Sequence, residues 1–527
     1  MRTGFSGDLI KRLLPTAKYT VAELEEKYPS RDLPEGAIVT RFAPSPTGYI
    51  HIGNILSSLL GRKLAQQSNG VWYLRIEDTD TEREVEGAVD LIIKSLATFG
   101  ITADEGPVQG GNYGSYTQTE RKEIYHSVAA GMLSRGIAYP CFLTEEEIDA
   151  IREIQEKSKM PTGIYGEFAK WRDADEADVI ARLDAGEVPA FRFYNTGDPS
   201  KRIFCKDVAR GSISYPENNE DIIILKSSNG FPTYHFGMMC DDHFMRTTHI
   251  IRGEEYLATF PLHVQMFNAL GWALPQFIHN ITLDKIDPET GNQRKLSKRK
   301  DPENGAAYYL ENGWPAEAIQ EYLFNILSSS YEEDKAKGKV KNIWDANINV
   351  KKLPTSGALF DWKKLEWWAR EFIATLPAVE LATRVRDWAA AYGNDFEKSQ
   401  TADMDYLTKI LSIERSDVKR ARKDFYTYKQ TLEEIAFFYS PPVEGCRADA
   451  AGRVIEKFLS SFNIKDDKDL WWKKITDIAA DLGLKNGEIA MTLRVAVTGR
   501  EQTPDLYSIM QVMGDIMVRE RLAKCQK

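Results

Sequence analysis

The chain has 527 residues, of which 43% are apolar and 28% charged, and its formal net charge is −10. This is the mixture of an ordinary folded, soluble protein, long enough for roughly three or four domains at about 150 residues each. The acidic total argues against indiscriminate polyanion binding by the whole molecule, and no apolar run approaches the ~20 residues that span a bilayer.

The amino terminus, "MRTGFSGDLIKRLLP", has neither a signal-peptide core nor a cleavage site, which predicts a cytoplasmic protein. Residues 1–36 read as an appendage, with a short helix starting at Thr20 because "TVAE" has the Thr-x-x-Glu pattern of a capping box. A buried strand is predicted over 37–43, then a proline turn, a helix from about Gly53 to Ser68, and a second strand over 71–78. Strand, glycine-containing connection, helix and strand in that order open a nucleotide-binding α/β fold. Glu77, Asp78 and Asp80 then fall at the carboxyl end of the second strand, where open parallel sheets bind ligands. Residues 144–230 read as an inserted domain, opened by a capping box at Thr144 and carrying the strands "AFRFY", "RIFCK" and "DIIILK". The α/β pattern resumes with "PTYHFGMMCDD" and "THIIRGEEYL", and "DKIDPETGNQRKLSKRKDPENG" reads as a loop. Beyond about residue 300 nearly everything reads as helix. The last helix is expected to have Thr503 as cap, Pro504 in its first turn, and an apolar stripe at Leu506, Ile509, Met510, Met513, Ile516 and Met517.

Three stretches carry chemistry. In "PSPTGYIHIGN" the prolines hold the chain extended, Gly48 permits the turn, and Gly53 leaves the helix mouth uncrowded. Free N–H groups and the helix dipole favour a phosphate at such a mouth, and His51 can donate to its oxygens. In "KLSKRK", lysines three residues apart can close over a triphosphate and offset charge that builds at phosphorus. "DVKRARKDFYTYK" at 417–429 mixes cations with Phe425, Tyr426 and Tyr428, whose rings could stack on exposed bases. Each stretch alone also has a plain structural explanation: a proline turn, a charged loop, a solvated helix face.

Together, Arg41–Asn54 and Lys295–Arg299 resemble the two signature motifs of class I aminoacyl-tRNA synthetases. The detail is similar to the bacterial glutamyl-tRNA synthetases: "RFAPSPTG", "HIGN", "RIEDTD", "GNYGSYTQTERKEIY", "AYPCF", "GFPTYHF", "THIIRGEEYL", "KLSKR" and "TLRVAVTG" occur in that order. The resemblance implies a Rossmann-like α/β catalytic domain with an inserted α+β domain, followed by an all-α carboxyl half. The expected divisions are 1–36 extension, 37–143 and 231–287 catalytic, 144–230 acceptor-stem insertion, 288–385 stem-contact, and 386–527 anticodon-binding.

Site roles also follow from the resemblance. Arg41 and Arg252 would hold the substrate glutamate, with Ser45 and Glu77 near its amino group and Tyr234 at its side chain. Pro44, Gly48, His51, Gly53, Asn54, Glu255, Leu283 and Lys298 would bind ATP. His51, Lys295 and Lys298 would serve the chemical step. Lys419, Arg420, Arg422 and Lys423 are the candidate tRNA contacts. The implied activity is ligation of L-glutamate to tRNA(Glu) through a glutamyl-adenylate, using ATP with Mg2+ as the substrate complex, by a monomer without membrane contact. Two alternatives stand beside it: an enzyme that also charges tRNA(Gln) or is glutaminyl outright, and a non-charging paralogue that binds tRNA or nucleotide. Asn54 replaces the second histidine of the family motif, and Met238 lies where some members place a polar residue, so it is left out of the site. Cys141 has no second cysteine nearby, so no structural zinc is expected. "DDH" at 241–243 is read as structural or pocket wall.

Overall fold

Val39–Phe42 forms a strand buried along its whole length. It pairs in parallel with Val71–Leu74, with Arg41 opposite Tyr73. The intervening helix, Ile52–Gln67, turns Ile52, Ile55, Leu56, Leu59, Leu60 and Leu64 inward, the three- and four-residue spacing of a core-facing stripe. The second strand stops at Leu74, short of the expected 78, because its backbone leaves the first strand after Arg75. Arg75 N–H donates to the Phe42 carbonyl (2.9 Å) and Ile76 N–H to that of Tyr116 (2.8 Å). The structure is a computed structural model describing residues 3–48, 50–297, 300–415, 421–440 and 449–525.

Val39 and Thr248 exchange hydrogen bonds, which sets the next strand, His249–Gly253, beside the first. That strand runs parallel to Gln276–Asn280, and the sheet continues through Arg202–Asp207 to Gly211–Pro216. The "RIFCK" strand thus belongs to the sheet that carries His249–Gly253. The other two strands expected in the insertion, observed as Ala190–Phe193 and Ile223–Leu225, join Ala138–Cys141 in a separate antiparallel sheet. A helix over Glu145–Lys157 flanks that sheet in sequence, capped by Thr144 and Glu147 as the sequence predicts.

Two further readings need correction. The "DKIDPETGNQRK" stretch is not an open loop. Leu283–Ile286 and Gln293–Lys295 pair as an antiparallel hairpin, whose turn is closed by the Asp287 carboxylate accepting from the N–H groups of Glu289 and Thr290 and by Gly291 at φ +70°. Nor is the amino-terminal segment an appendage. Leu9, Ile10, Leu13, Leu24 and Tyr28 lie in the same buried cluster as Tyr73, Tyr125 and Met239, and Arg31 makes a forked pair with Glu105 at 2.7 and 2.9 Å. Its Thr20 capping box is present.

Backbone contacts divide the chain into two units, Met1–Ala306 with Leu323–Phe360, and Ala307–Tyr322 with Asp361–Lys527. The second is helical, with its own core built around Leu381, Leu407, Leu432, Phe458, Ile475 and Leu493. The last helix departs from expectation. It runs Leu506–Lys524 with Asp505 as cap, whose side chain accepts from Ser508 N–H at 3.0 Å. Thr503 and Pro504 instead receive the Arg494 guanidinium. Gly514, at φ +80° and ψ 166°, interrupts the helix. The stripe therefore changes phase: Ile509 and Met513 are buried, whereas Ile516 is 75% exposed and Val518 takes over the inward face. Among the described residues no helix is long and apolar enough to cross a membrane.

Candidate active site

A cleft of about 300 Å³ opens at the carboxyl ends of the strands that carry Arg41 and Arg252. Pro44, Ser45, Gly48, His51, Gly53, Asn54, Glu77, Tyr234, Glu255, Leu283 and Lys295 all line it with those arginines. The sequence places these residues from 41 to 295; parallel strands with crossovers bring them to one edge. Lys298, the remaining candidate, lies outside the described residues, as do Lys419 and Arg420.

His51 has a structural duty first. It caps the Ile52–Gln67 helix: its ring Nδ1 accepts from Asn54 N–H at 3.2 Å, and Asn54 Oδ1 accepts from His51 N–H at 3.1 Å. Accepting at Nδ1 places the neutral ring's proton on Nε2, the atom a phosphate oxygen would meet. Gly53 matters here for a specific reason. A Cβ at that position would stand 3.1 and 3.2 Å from the His51 ring, so the glycine makes room for the imidazole. Gly53→Ala should favour the helix by about 1 kcal/mol or less while displacing His51. Melting should show no loss of stability, whereas the ATP-dependent activity that the sequence resemblance implies should fall several-fold; a fall in both would point to misfolding.

The first motif meets the segment that follows the lysine loop through backbone. His51 bridges Gly305, and Ala306 N–H donates to the Ile50 carbonyl at 2.9 Å. Asp301, almost fully buried, clasps the ends of the lysine loop: it accepts from Arg294 at 2.6 and 3.0 Å, from Lys285 at 2.9 Å and from Ser297 N–H at 2.8 Å. Those donors hold its carboxyl far below the usual range, Arg294 foremost. Lys295 is half-exposed and pairs with Glu255 at 3.2 Å, so this cation already has a carboxylate beside it.

The end of the cleft around Arg41 is a buried charge network that sequence reading only partly resolved. Arg41 forks onto Asp242 at 2.9 and 3.0 Å and donates to the Ile251 carbonyl at 3.2 Å. Asp242 also accepts from Arg75 at 2.8 Å, and Arg75 reaches Glu77 at 3.1 Å. Asp241 takes Arg121 at 2.6 Å, together with Gln118 and Tyr125. "DDH" is thus a pair of anchors for arginines, and His243 stacks on Trp272 at 3.8 Å. The only signal for these anchors in the sequence was an acidic pair inside an apolar helix. Met238 is buried with Cys205, Ile250 and Phe277, away from the cleft lining. Cys141 is buried on its strand, its sulfur accepting from Arg192 at 3.3 Å.

Arg252 is held differently. Its Nε donates to His279 (3.0 Å), its Nη1 to His263 (2.9 Å), and its buried Nη2 has no hydrogen-bond partner of good geometry, with Tyr234 beside it. Glu77 is pushed up to about 7, chiefly by burial, against the pull of Arg75 and Arg41. An arginine with a spare donor and a carboxyl poised to ionise suit a ligand bearing both a carboxylate and an ammonium group.

In the helical unit, the aromatic part of the 417–429 reading fails for Phe425 and Tyr428, whereas Tyr426 is partly exposed. Phe425 and Tyr428 are buried in the core and unavailable for stacking, and residues 421–427 are not helical. Arg422 pairs with Asp424 and Glu414, and Lys423 pairs with Glu371. Arg422 also lines a second cleft, of about 840 Å³, with Arg370, Arg415, Arg494 and Arg500.

Residues 37–367 match the family of tRNA synthetases class I (E and Q), catalytic domain, and 380–526 match an anticodon binding domain family. A glutamate–tRNA ligase of Clostridium perfringens (strain 13 / Type A) is 40% identical, across 98% of this chain and 99% of its own. One from Sorangium cellulosum (strain So ce56) is 39% identical, across 95% and 97%. The crystal structure of a glutamate tRNA ligase from Elizabethkingia meningosepticum CCUG26117, in complex with its amino acid, aligns at a TM-score of 0.74. It is 25% identical, and the alignment covers 93% of this chain and 99% of that one. On these full-length matches and the shared fold, the chain belongs to the glutamate–tRNA ligase family of class I tRNA synthetases.

Proposed function

We propose that the chain ligates L-glutamate to tRNA(Glu) in two steps. The α-carboxylate of glutamate attacks the α-phosphate of Mg-ATP, giving glutamyl-adenylate and pyrophosphate. A terminal hydroxyl of the tRNA, the 2′-OH in this class, then attacks the activated carbonyl and releases AMP. The attacking carboxylate is already ionised, so the first step needs no protein base. The cleft supplies positioning and charge instead.

The observation that carries the substrate choice is Arg252, a buried cation of the cleft lining that has no carboxylate within ion-pair distance among the described residues and has Tyr234 beside its Nη2. In this reading it meets the side-chain carboxylate of glutamate, and ionised Glu77 meets the ammonium group. Arg41, already paired with Asp242, contributes its remaining donors. The Nε2–H of His51 and the lysine loop take the phosphates; Leu283 and the Pro44–Gly48 turn flank the nucleotide. The helical unit takes the anticodon side of the tRNA, and the arginine-lined cleft is the surface we assign to it. Phosphate contacts there would make binding fall with salt, and base contacts would make it depend on anticodon sequence.

Pyrophosphate exchange into ATP tests the reading. Exchange should require glutamate and should not be supported by glutamine, with tRNA(Glu) present. Exchange supported equally by glutamine would overturn the substrate assignment.

A further inference from the structure

Arg252 lies in an unbroken chain of hydrogen bonds with a histidine on either side. Asp207 Oδ2 meets His279 Nδ1 at 2.8 Å, and His279 Nε2 meets Arg252 Nε at 3.0 Å. Arg252 Nη1 then meets His263 Nδ1 at 2.9 Å, and His263 Nε2 meets His235 Nδ1 at 2.9 Å. His263 is fully buried, His279 and Asp207 are 1% exposed, and Arg252 is 6% exposed.

A guanidinium has only donors, so each ring nitrogen facing Arg252 must offer a lone pair. That condition assigns every proton in the chain. His279 carries its proton on Nδ1 and gives it to Asp207, which also accepts the His279 backbone N–H at 2.8 Å. His263 carries its proton on Nε2 and gives it to His235. Both rings are neutral, because a second proton on either would set N–H against N–H at about 3 Å. Burial lowers the proton affinity of His263 and His279, in keeping with that assignment.

We infer that His263 and His279 are positioning residues that hold Arg252 as an uncompensated cation, so that its charge is kept for the substrate carboxylate. The contrast is within the same cleft. Arg41 is forked onto the Asp242 carboxylate, which it shares with Arg75; Arg252 is held from two sides by lone pairs that carry no net charge. Asp207, the carboxylate of the chain, stands one imidazole removed and fixes the His279 tautomer. Neutral acceptors satisfy the guanidinium's geometry without discharging it, and an undischarged buried cation favours a carboxylate over an isosteric carboxamide. The inference rests on the reading that Arg252 meets the glutamate side chain.

The test compares two isosteric variants of the full chain. Asn at 263 keeps a neutral oxygen near the Nδ1 position; Asp puts a negative charge there and changes nothing else in shape. Glutamate KM in pyrophosphate exchange should be higher in His263→Asp than in His263→Asn by about tenfold or more, with the same ATP KM in both. Equal glutamate KM in the two variants, or ATP KM rising in step, would overturn the inference. Arg252→Gln serves as the separate control: if it keeps the wild-type glutamate KM, the reading of Arg252 fails instead. Long-range ¹⁵N–¹H spectra of the histidine-labelled chain give a second readout free of variants. They should show His263 protonated on Nε2 alone and His279 on Nδ1 alone, and a doubly protonated ring at either position near neutral pH contradicts the inference.

Discussion

Replacing Arg252 by Gln should weaken glutamate binding by about 3 kcal/mol, roughly a hundredfold, with ATP binding little changed. The size follows from burial: a charge pair closed off from water loses far more on truncation than an exposed one. The protein itself should remain stable, because no carboxylate is left unpaired when this cation goes. Arg41→Gln should behave in the opposite way. Asp242 would lose its forked partner but keep Arg75 at 2.8 Å, with Tyr73 and Thr247 still within reach. The main cost should fall on folding, toward the lower end of about 3–5 kcal/mol for a broken buried pair, and the effect on glutamate should be about tenfold. Isothermal binding of glutamate and chemical denaturation of both variants separate the two roles. Equal losses of glutamate affinity with equal stabilities would refute the division.

The second large effect concerns Glu77 and pH. Its carboxyl is pushed up to about 7 because burial disfavours the charge. An incoming ammonium favours the ionised form, so glutamate binding below that pH must expel a proton. Affinity should therefore climb with pH, by at most about tenfold per unit below neutrality, and level off above about 7. Glu77→Gln should flatten the profile and weaken binding by roughly a hundredfold at pH 8. The stability consequence has the opposite sign. A carboxyl with a raised folded-state value stabilises the protein below the unfolded-state value, and that contribution is lost as pH rises through about 7. The melting temperature of the Gln variant relative to wild type should accordingly be more favourable at pH 8 than at pH 5. A wild-type glutamate affinity that is flat from about pH 6 to 8 would remove Glu77 from the ammonium site.

Much of this cleft was legible in the sequence alone. The abrupt end of the Val39–Phe42 strand at Pro44, the glycine beside His51 and the lysine loop each interrupt regular structure, and local chemistry shows that directly. The capping boxes at Thr20 and Thr144 are equally local, and both are present. What sequence could not show was partnership across distance. Asp242 lies 201 residues from Arg41, and His263 and His279 come to Arg252 from a neighbouring helix and strand. Nothing in the spacing of those residues announces the pairing. The same limit explains the failure at 417–429. Aromatics interleaved with cations look alike whether the rings face solvent or the core, and here the core of the helical unit takes Phe425 and Tyr428. Ile516 was misplaced for a local reason that periodicity hides: one glycine in an extended, positive-φ conformation rotates everything after it.

The central claim is that this cleft activates glutamate for transfer to RNA. Acid-precipitable charging, with glutamate or glutamine offered against purified tRNA(Glu) or tRNA(Gln), tests it most directly. The account predicts ATP-dependent attachment of glutamate to tRNA(Glu) and no attachment of glutamine to either RNA. Attachment of glutamine, or no charging by a folded protein that binds ATP, would contradict it.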